Sequence, residues 1–214
     1  MPREIEEHYK RLFFKVFKKR DTYAIRGMFD ESYTICNELY SRNTFLNDTE
    51  IGIKDIRADI LRAAVAKTAK LYCKKGILPF DFTTPPNSIG NCRHVELRFG
   101  DKSLYLARVD YPSCIPKKVQ YRPCVPSLQM NLFYDFQHDK EESIDVFLAT
   151  YGDSGANKFK FGNIGILGEV SWLFAYPLQQ KMYRYITRTE KDELLVELDD
   201  SIIREDEDNA GGGE

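Results

Sequence analysis

The chain has little histidine and no long hydrophobic run, and both absences narrow the classes of protein to which it can belong. Only His8, His94 and His138 are present, which leaves few ways to build a histidine-based catalytic or metal site. No apolar window approaches the roughly 18 residues that a membrane-spanning helix needs. The motifs G-x-S-x-G, H-E-x-x-H and the phosphate-binding P-loop are also missing. We therefore expect no membrane association, and the missing catalytic inventory favours a protein that is not an enzyme.

Cysteine is sparse and irregularly spaced. The five cysteines are odd in number and form no CxxC pair, which argues against a disulfide framework and against a structural zinc site. The first residues, Met-Pro-Arg-Glu-Ile-Glu-Glu, precede no apolar run, which predicts no secretory signal. These features predict a protein of the reducing cytoplasm that needs no metal and no cofactor.

What the chain does have is a globular composition with an uneven distribution of charge. Hydrophobic residues make up 43% of it, with 14 Phe and 13 Tyr, which is sufficient for a packed core. The formal net charge is only −2, yet residues 1–75 contain 16 basic and 11 acidic residues, whereas residues 187–214 contain 3 and 11. A basic front and an acidic end suit electrostatic complementarity with a partner.

Residues 1–76 are predicted to form a helical segment. Apolar residues recur at three- and four-residue spacing behind Pro2, and they predict a first helix that reaches Phe17. A second helix is predicted over residues 30–42. A third begins at a cap on Asp48 or Thr49 and ends before Gly76. The outward face of the third predicted helix carries a set of basic residues that nucleic acid could contact: Arg62, Lys67, Lys70 and Lys74.

Residues 77–200 are predicted to be the β-rich part of the same domain. Strand-like runs cover 93–100, 103–111, 130–137, 143–152 and 158–167, with a tight turn at Gly100-Asp101-Lys102. Residues 169–176 fit either a strand or a short helix, and so do residues 187–200. A block of helices followed by a block of strands predicts an α+β domain with three amino-terminal helices packed on a mostly antiparallel sheet of five to seven strands. Residues 201–214 are predicted to be a disordered acidic tail.

The most informative segment is the charged hairpin of residues 93–110. Strand alternation places Glu96 and Arg98 on a predicted solvated face, where cross-strand ion pairs are ordinary. Arg108 and Asp110 instead share a face with the apolar residues of their strand, so they must be paired, lie at the sheet margin or face a cleft. We therefore expect a binding site that draws on this segment and on a nearby arginine, with these candidate residues: Arg93, Glu96, Arg98, Arg108, Asp110 and Arg122.

The hairpin sequence His94-Val-Glu-Leu-Arg-Phe-Gly100, behind a helical front, is similar to uncharacterised prokaryotic proteins from mobile elements and from phage-defence or toxin–antitoxin neighbourhoods. The resemblance implies a regulatory role and transfers no active site. We expect a non-enzymatic regulatory protein that binds another protein, and a homodimer also stays open. In addition, Ser201-Ile-Ile203 and the acidic run behind it could cover the basic third helix.

Two alternatives remain. The first is a metal-dependent nuclease, or another phosphoester-directed enzyme, that uses Glu96, Lys102 and Asp110. The second is a nucleic-acid-binding regulator that uses the basic face of the third helix.

Overall fold

The computed structural model describes residues 3–43, 56–86, 93–111, 114–116, 144–155, 158–168, 171–178 and 185–198. These residues contain four helices and one sheet. The helices are α1 (Arg3–Val16), α2 (Lys19–Arg42), α3 (Ile56–Lys74) and α4 (residues 188–198). The predicted α+β class with three amino-terminal helices is confirmed, and the stretch 187–200 contains a helix. No helix among the described residues is long and apolar enough to cross a bilayer.

The strands of the described sheet follow one another in chain order. They are β1 (Asp81–Thr83), β2 (Glu96–Phe99), β3 (Lys102–Arg108), β4 (Val146–Tyr151), β5 (Asn163–Leu167) and β6 (Trp172–Pro177). Every neighbouring pair is antiparallel except β3 and β4, which are parallel. The mostly antiparallel sheet is thus confirmed. It consists of two three-stranded antiparallel units joined by one parallel pair, and this pairing brings the carboxyl ends of β3 and β4 to the same edge.

An aromatic layer holds α1 and α2 against one face of the sheet. Phe13 of α1 and Phe17, which directly follows α1, stack with their ring centroids 4.9 Å apart, and Phe17 meets Phe147 of β4 edge to face at 5.0 Å. Phe29 of α2 stacks on Tyr151, the last residue of β4, at 4.8 Å. All five side chains are buried, and each contributes roughly 1.5–3 kcal/mol through burial. The layer fixes α2 over the carboxyl end of β4.

Helix α2 begins at Lys19, so the predicted start at residue 30 is wrong. The carboxylate of Asp21 caps the first turn by accepting a backbone N–H hydrogen bond at 2.8 Å. The buried Arg26 lies 3.9 Å from the centre of the Phe159 ring and forms an ion pair with Asp30 at 2.8 Å. Polar residues that interrupt the apolar stripe are therefore satisfied by partners within the helix and in the β-rich segment, which the apolar period alone does not reveal.

Several other predicted boundaries also change. The predicted runs 93–100 and 103–111 correspond to β2 and β3, and Gly100 makes the turn between them with a φ of +61°. The sequence reading contained no counterpart of β1. Of the two alternatives for residues 169–176, the strand is present as β6. The predicted strand at 130–137, the predicted start of the third helix, Arg122 and the acidic tail all lie outside the described residues.

Helix α4 packs its apolar face into the core and pairs its acidic residues with the neighbouring helices. Its three buried leucines are Leu194, Leu195 and Leu198. Glu190 pairs with Lys75, directly after α3, at 2.9 Å, and Glu197 pairs with Lys67 of α3 at 2.7 Å. Two further pairs reach α2, from Asp192 to Arg42 at 3.3 Å and from Lys191 to Glu38. The first part of the acidic carboxyl-terminal region, α4, therefore neutralises some of the basic residues in the amino-terminal region.

Candidate binding site at the carboxyl ends of the parallel strands

The site lies where β3 and β4 end side by side. Arg108 is the last residue of β3 and is paired in register with Tyr151, the last residue of β4. The amide of Val109 extends the ladder by donating to the Tyr151 carbonyl at 2.9 Å. Asp153 follows shortly after β4, and its carboxylate lies 3.6 Å from the guanidinium of Arg108. The parallel pairing therefore brings together an arginine and an aspartate that are far apart in the chain.

A tight turn holds Asp153 in its buried position. The Gly155 amide donates to Asp153 Oδ1 at 3.0 Å, an Asx-type contact two residues along the chain. Ser154 and Gly155 have positive φ angles of 48° and 74°, in the left-handed region. A Cβ atom at Gly152 would lie 2.4 Å from the carbonyl oxygen of Val109, so the backbone there admits no side chain. Asp153 is only 5% exposed, and its carboxylate is fixed by the turn.

The side chain of Arg108 runs from this buried carboxylate to solvent. It lies on the same strand face as Leu104 and Leu106, which pack into the core beneath the helices. Its side chain is nevertheless 39% exposed, because the sheet ends at this point. Arg108 thus lies at the sheet margin and is paired, as the alternation indicates, but its partner is Asp153 and not Asp110.

Helix α2 forms the wall that faces Arg108. Tyr33 of α2 meets Tyr151 edge to face with ring centroids 6.4 Å apart. The Tyr33 hydroxyl is buried and makes no hydrogen bond of regular geometry with a described residue. Burial raises the pKa of Tyr33 above its ordinary range, although the nearby Arg108 guanidinium acts to lower it. The phenol is therefore neutral at physiological pH.

A second arginine reaches α2 one to two turns farther along. Arg57, in the first turn of α3, lies 4.8 Å from the centre of the Tyr40 ring and donates a hydrogen bond to Asn37 Oδ1. Burial raises the pKa of the Cys36 thiol to about 11, although the charges of Arg57 and Arg108 both act to lower it. Both guanidinium groups therefore lie near Cys36, whose thiol is neutral at physiological pH and is not activated as a nucleophile.

Exposed residues follow Arg108 along the chain. Asp110 is exposed, Tyr111 is 63% exposed and Ile115 is 40% exposed. The amide of Cys114 donates to the Tyr111 carbonyl at 3.0 Å, which makes a turn between the two apolar side chains. We call Arg108, Asp110, Tyr111 and Ile115 the exit patch. It combines two residues of opposite charge with one aromatic and one aliphatic side chain.

Two other charged residues of the predicted hairpin, Glu96 and Arg98, belong to a network on the opposite face of the sheet. Glu96 accepts hydrogen bonds from Arg98 Nε at 2.9 Å and from Ser103 Oγ at 2.5 Å. His94 stacks on Tyr105, the register partner of Glu96, at 5.9 Å. Burial acts to raise the pKa of Glu96, but the hydrogen bonds and the charge of Arg98 outweigh it and leave that pKa below its usual range.

The prediction that Glu96 lies on a solvated face is wrong. Alternation assigns it correctly to the face opposite Leu97, but Glu96 is only 4% exposed, and Ala107 is buried on the same face. Arg98 and Arg93 are exposed, and Arg93 donates to the Thr84 carbonyl at 2.9 Å. The predicted hairpin residues are therefore divided between two faces and do not form one array.

The residues proposed for a nuclease are not brought together. Lys102 begins β3, whereas Asp110 follows its other end, and the six residue steps of the strand alone span about 20 Å. Lys102 forms an ion pair with the exposed Asp101 at 3.0 Å, and Glu96 is held within its own network. Among the described residues, no group of three or more His, Cys, Asp or Glu side chains is arranged to hold a metal ion.

Two of the four basic residues predicted on the outward face of the third helix form ion pairs. Arg62 forms an ion pair with Asp59 at 2.5 Å, and Lys67 is paired with α4. Lys70 and Lys74 are exposed. Fewer of these cations are therefore available to contact nucleic acid than the sequence indicates.

Sequence reasoning missed four residues near Arg108, namely Tyr33, Cys36, Arg57 and Asp153. The one available signal was the turn sequence Gly152-Asp-Ser-Gly155, whose aspartate suits an Asx turn. The other three lie on helices and follow an ordinary apolar or amphipathic pattern. Comparisons of the chain with models of known families, with curated proteins and with solved structures find no match.

Proposed function

We propose that this is a non-enzymatic binding protein that engages another protein through the exit patch. The observation that carries the proposal is the exposed Tyr111, which follows three residues after an arginine that is paired with a buried aspartate. Tyrosine and arginine are among the side chains most enriched at the energetic centres of protein interfaces. Because Asp153 already restricts Arg108, ordering this arginine on binding costs less than ordering a free one.

The protonation states at the site support binding over catalysis. A nucleophile or a general base needs a pKa that is moved towards the working pH. Burial moves the pKa of Cys36 and of Tyr33 the other way, to about 11 for the thiol and above the ordinary range for the phenol. Both groups therefore stay neutral, and as buried side chains of the core they support the site without reacting.

We propose a regulatory role for this binding. The resemblance of the hairpin to proteins of prokaryotic mobile elements, phage defence or toxin–antitoxin systems supports that role, and the sparse cysteines support a reducing cytoplasm. A second copy of the chain is the alternative partner for the exit patch. The nuclease alternative has less support, because Lys102 and Asp110 lie at opposite ends of β3. Direct nucleic-acid binding also has less support, because α4 already pairs with Lys67.

The test compares Tyr111→Ala with Phe99→Ala as a matched control. Phe99 is also an exposed aromatic residue, at 46%, but it lies at the far end of the hairpin. Proteins retained by the immobilised wild type and by the control, but lost with Tyr111→Ala, are identified, purified and titrated by calorimetry. Loss of a central interface aromatic costs about 2 kcal/mol or more, so we expect binding to weaken about thirtyfold.

Two results would contradict the proposal. One is that no protein distinguishes the wild type from Tyr111→Ala. The other is that a purified partner binds Tyr111→Ala and Arg108→Gln as tightly as it binds the wild type. Light scattering over a range of concentrations detects the homodimer alternative, which predicts a dimer that Tyr111→Ala dissociates.

A further inference from the structure

Two guanidinium groups lie along α2 at a defined spacing. Arg108 is the register partner of Tyr151, whose ring meets Tyr33, whereas Arg57 contacts Asn37 and Tyr40. These contacts lie four and seven residues farther along the helix, which corresponds to about 6–10 Å at a rise of 1.5 Å per residue. The spacing of these contacts along α2 leaves room for two anionic groups rather than one.

The charge of this arginine pair is incompletely balanced by described residues. Arg57 contacts an amide and an aromatic ring, which are both uncharged. Arg108 faces Asp153, whose Oδ1 already accepts the Gly155 amide. Of the two arginines, only Arg108 is paired with a carboxylate among the described residues, and the positive charge of Arg57 favours an anionic ligand. Arginine is also the side chain best suited to bidentate contacts with carboxylates.

The direction of α4 leads the acidic end of the chain towards Arg57. Glu190 pairs with Lys75 and Glu197 pairs with Lys67, so α4 runs antiparallel to α3 and points towards its first turn. From Lys67 to Arg57 the rise along α3 is about 15 Å. The chain from residue 199 to residue 205 can span up to about 23 Å when extended, which is long enough to cover that distance.

We propose that Arg57 and Arg108 bind an acidic segment in extended conformation, and that in the isolated chain the occupant is its own run Glu205-Asp206-Glu207-Asp208. Alternate side chains of an extended chain point the same way and lie about 6.7 Å apart, a spacing that fits the arginine pair. Because Arg108 also belongs to the exit patch, the bound run competes with the partner; this consequence alone rests on the proposed function.

The experiment maps the position of the tail in the full chain by photo-crosslinking. The label p-benzoylphenylalanine replaces Asn209, directly after the acidic run, and leaves all four carboxylates intact. We expect crosslinks to residues 33–43, to the first turn of α3 and to the exit patch. Their yield should fall at least fivefold in Arg57→Gln/Arg108→Gln. It should stay unchanged in Lys70→Gln/Lys74→Gln, a control that removes two exposed cations from α3.

A second variant keeps the test decisive if the arginine substitutions disturb folding. Neutralising the run with Glu205→Gln, Asp206→Asn, Glu207→Gln and Asp208→Asn leaves the arginine pair intact and should cause the same loss of yield. Crosslinks to the Lys70 and Lys74 face, a yield that neither variant lowers, or crosslinks between isotopically distinct copies would each overturn the proposal. The proposed function can fail independently, because this assay contains no partner.

Discussion

Replacing Asp153 tests whether the turn after β4 holds the site together. The Asp153 carboxylate is buried, accepts the Gly155 amide at 3.0 Å and lies 3.6 Å from Arg108. Asp153→Ala removes both contacts and leaves the amide without its partner, whereas Asp153→Asn keeps an oxygen for the amide and removes only the charge. The two variants therefore separate the hydrogen bond from the ion pair.

The expected sizes of the two effects differ. Losing a hydrogen bond between an amide and a charged acceptor costs about 1.5–3 kcal/mol. The ion pair contributes at most about 1 kcal/mol, because Arg108 is 39% exposed and screened by solvent. Asp153→Ala should thus lower the unfolding free energy by about 2–3 kcal/mol, and Asp153→Asn by about 1 kcal/mol or less. For a chain of this size, the first value corresponds to a fall in Tm of roughly 4–12 °C.

Thermal and urea unfolding, followed by circular dichroism, measure both variants. Asp145→Ala serves as the control, because Asp145 is half exposed and its ion pair with Lys102 is 3.7 Å long; we expect a change within about 0.5 kcal/mol. Equal losses for Asp153→Ala and Asp153→Asn would refute the reasoning, since they would show that the charge and not the hydrogen bond to Gly155 stabilises the turn.

Two further predictions concern stability. Glu96→Gln should destabilise the protein at pH 7, and the difference from the wild type should shrink as the pH falls below about 4.5; the folded state lowers the pKa of Glu96, so its contribution is present above the unfolded pKa and is lost as the carboxylate protonates. Urea unfolding at several pH values measures this difference, and a constant value would contradict the prediction. Gly152→Ala should cost about 1–3 kcal/mol or more, because the new Cβ would lie 2.4 Å from the Val109 carbonyl oxygen; an unchanged Tm would show that the backbone there relaxes freely.

Residue periodicity predicted the features that depend on local geometry. The three- and four-residue spacing in α3 and the alternation in β3 depend only on how side chains project from a helix or a strand. Alternation was therefore sufficient to place Arg108 on the core-facing side of its strand, and it left open whether this arginine is paired, lies at the sheet margin or faces a cleft. It also assigned Glu96 to the correct face, but whether that face is buried depends on other parts of the chain.

The features that were missed depend on contacts between distant segments. Asp153 meets Arg108 because β3 and β4 are parallel neighbours, and no local pattern in either strand encodes that neighbour. Arg57 and Cys36 lie at the site because α2 packs against α3. The early start of α2 was missed for a related reason, because Arg26 is stabilised in the core by Phe159, a residue of the β-rich segment.

The parallel junction between β3 and β4 has a consequence for how the chain folds. Within each three-stranded unit, neighbouring strands follow one another in the chain, whereas the two strands of the junction are separated by residues 109–145. Contacts of long sequence separation slow folding, since the entropy of loop closure is lost before the contact is gained. We therefore expect the two units to form early and their junction to be the slow step. Lengthening the segment between β3 and β4 should reduce stability only slightly, because the entropic cost of closing a chain segment grows by about 0.6 kcal/mol for each doubling of its length.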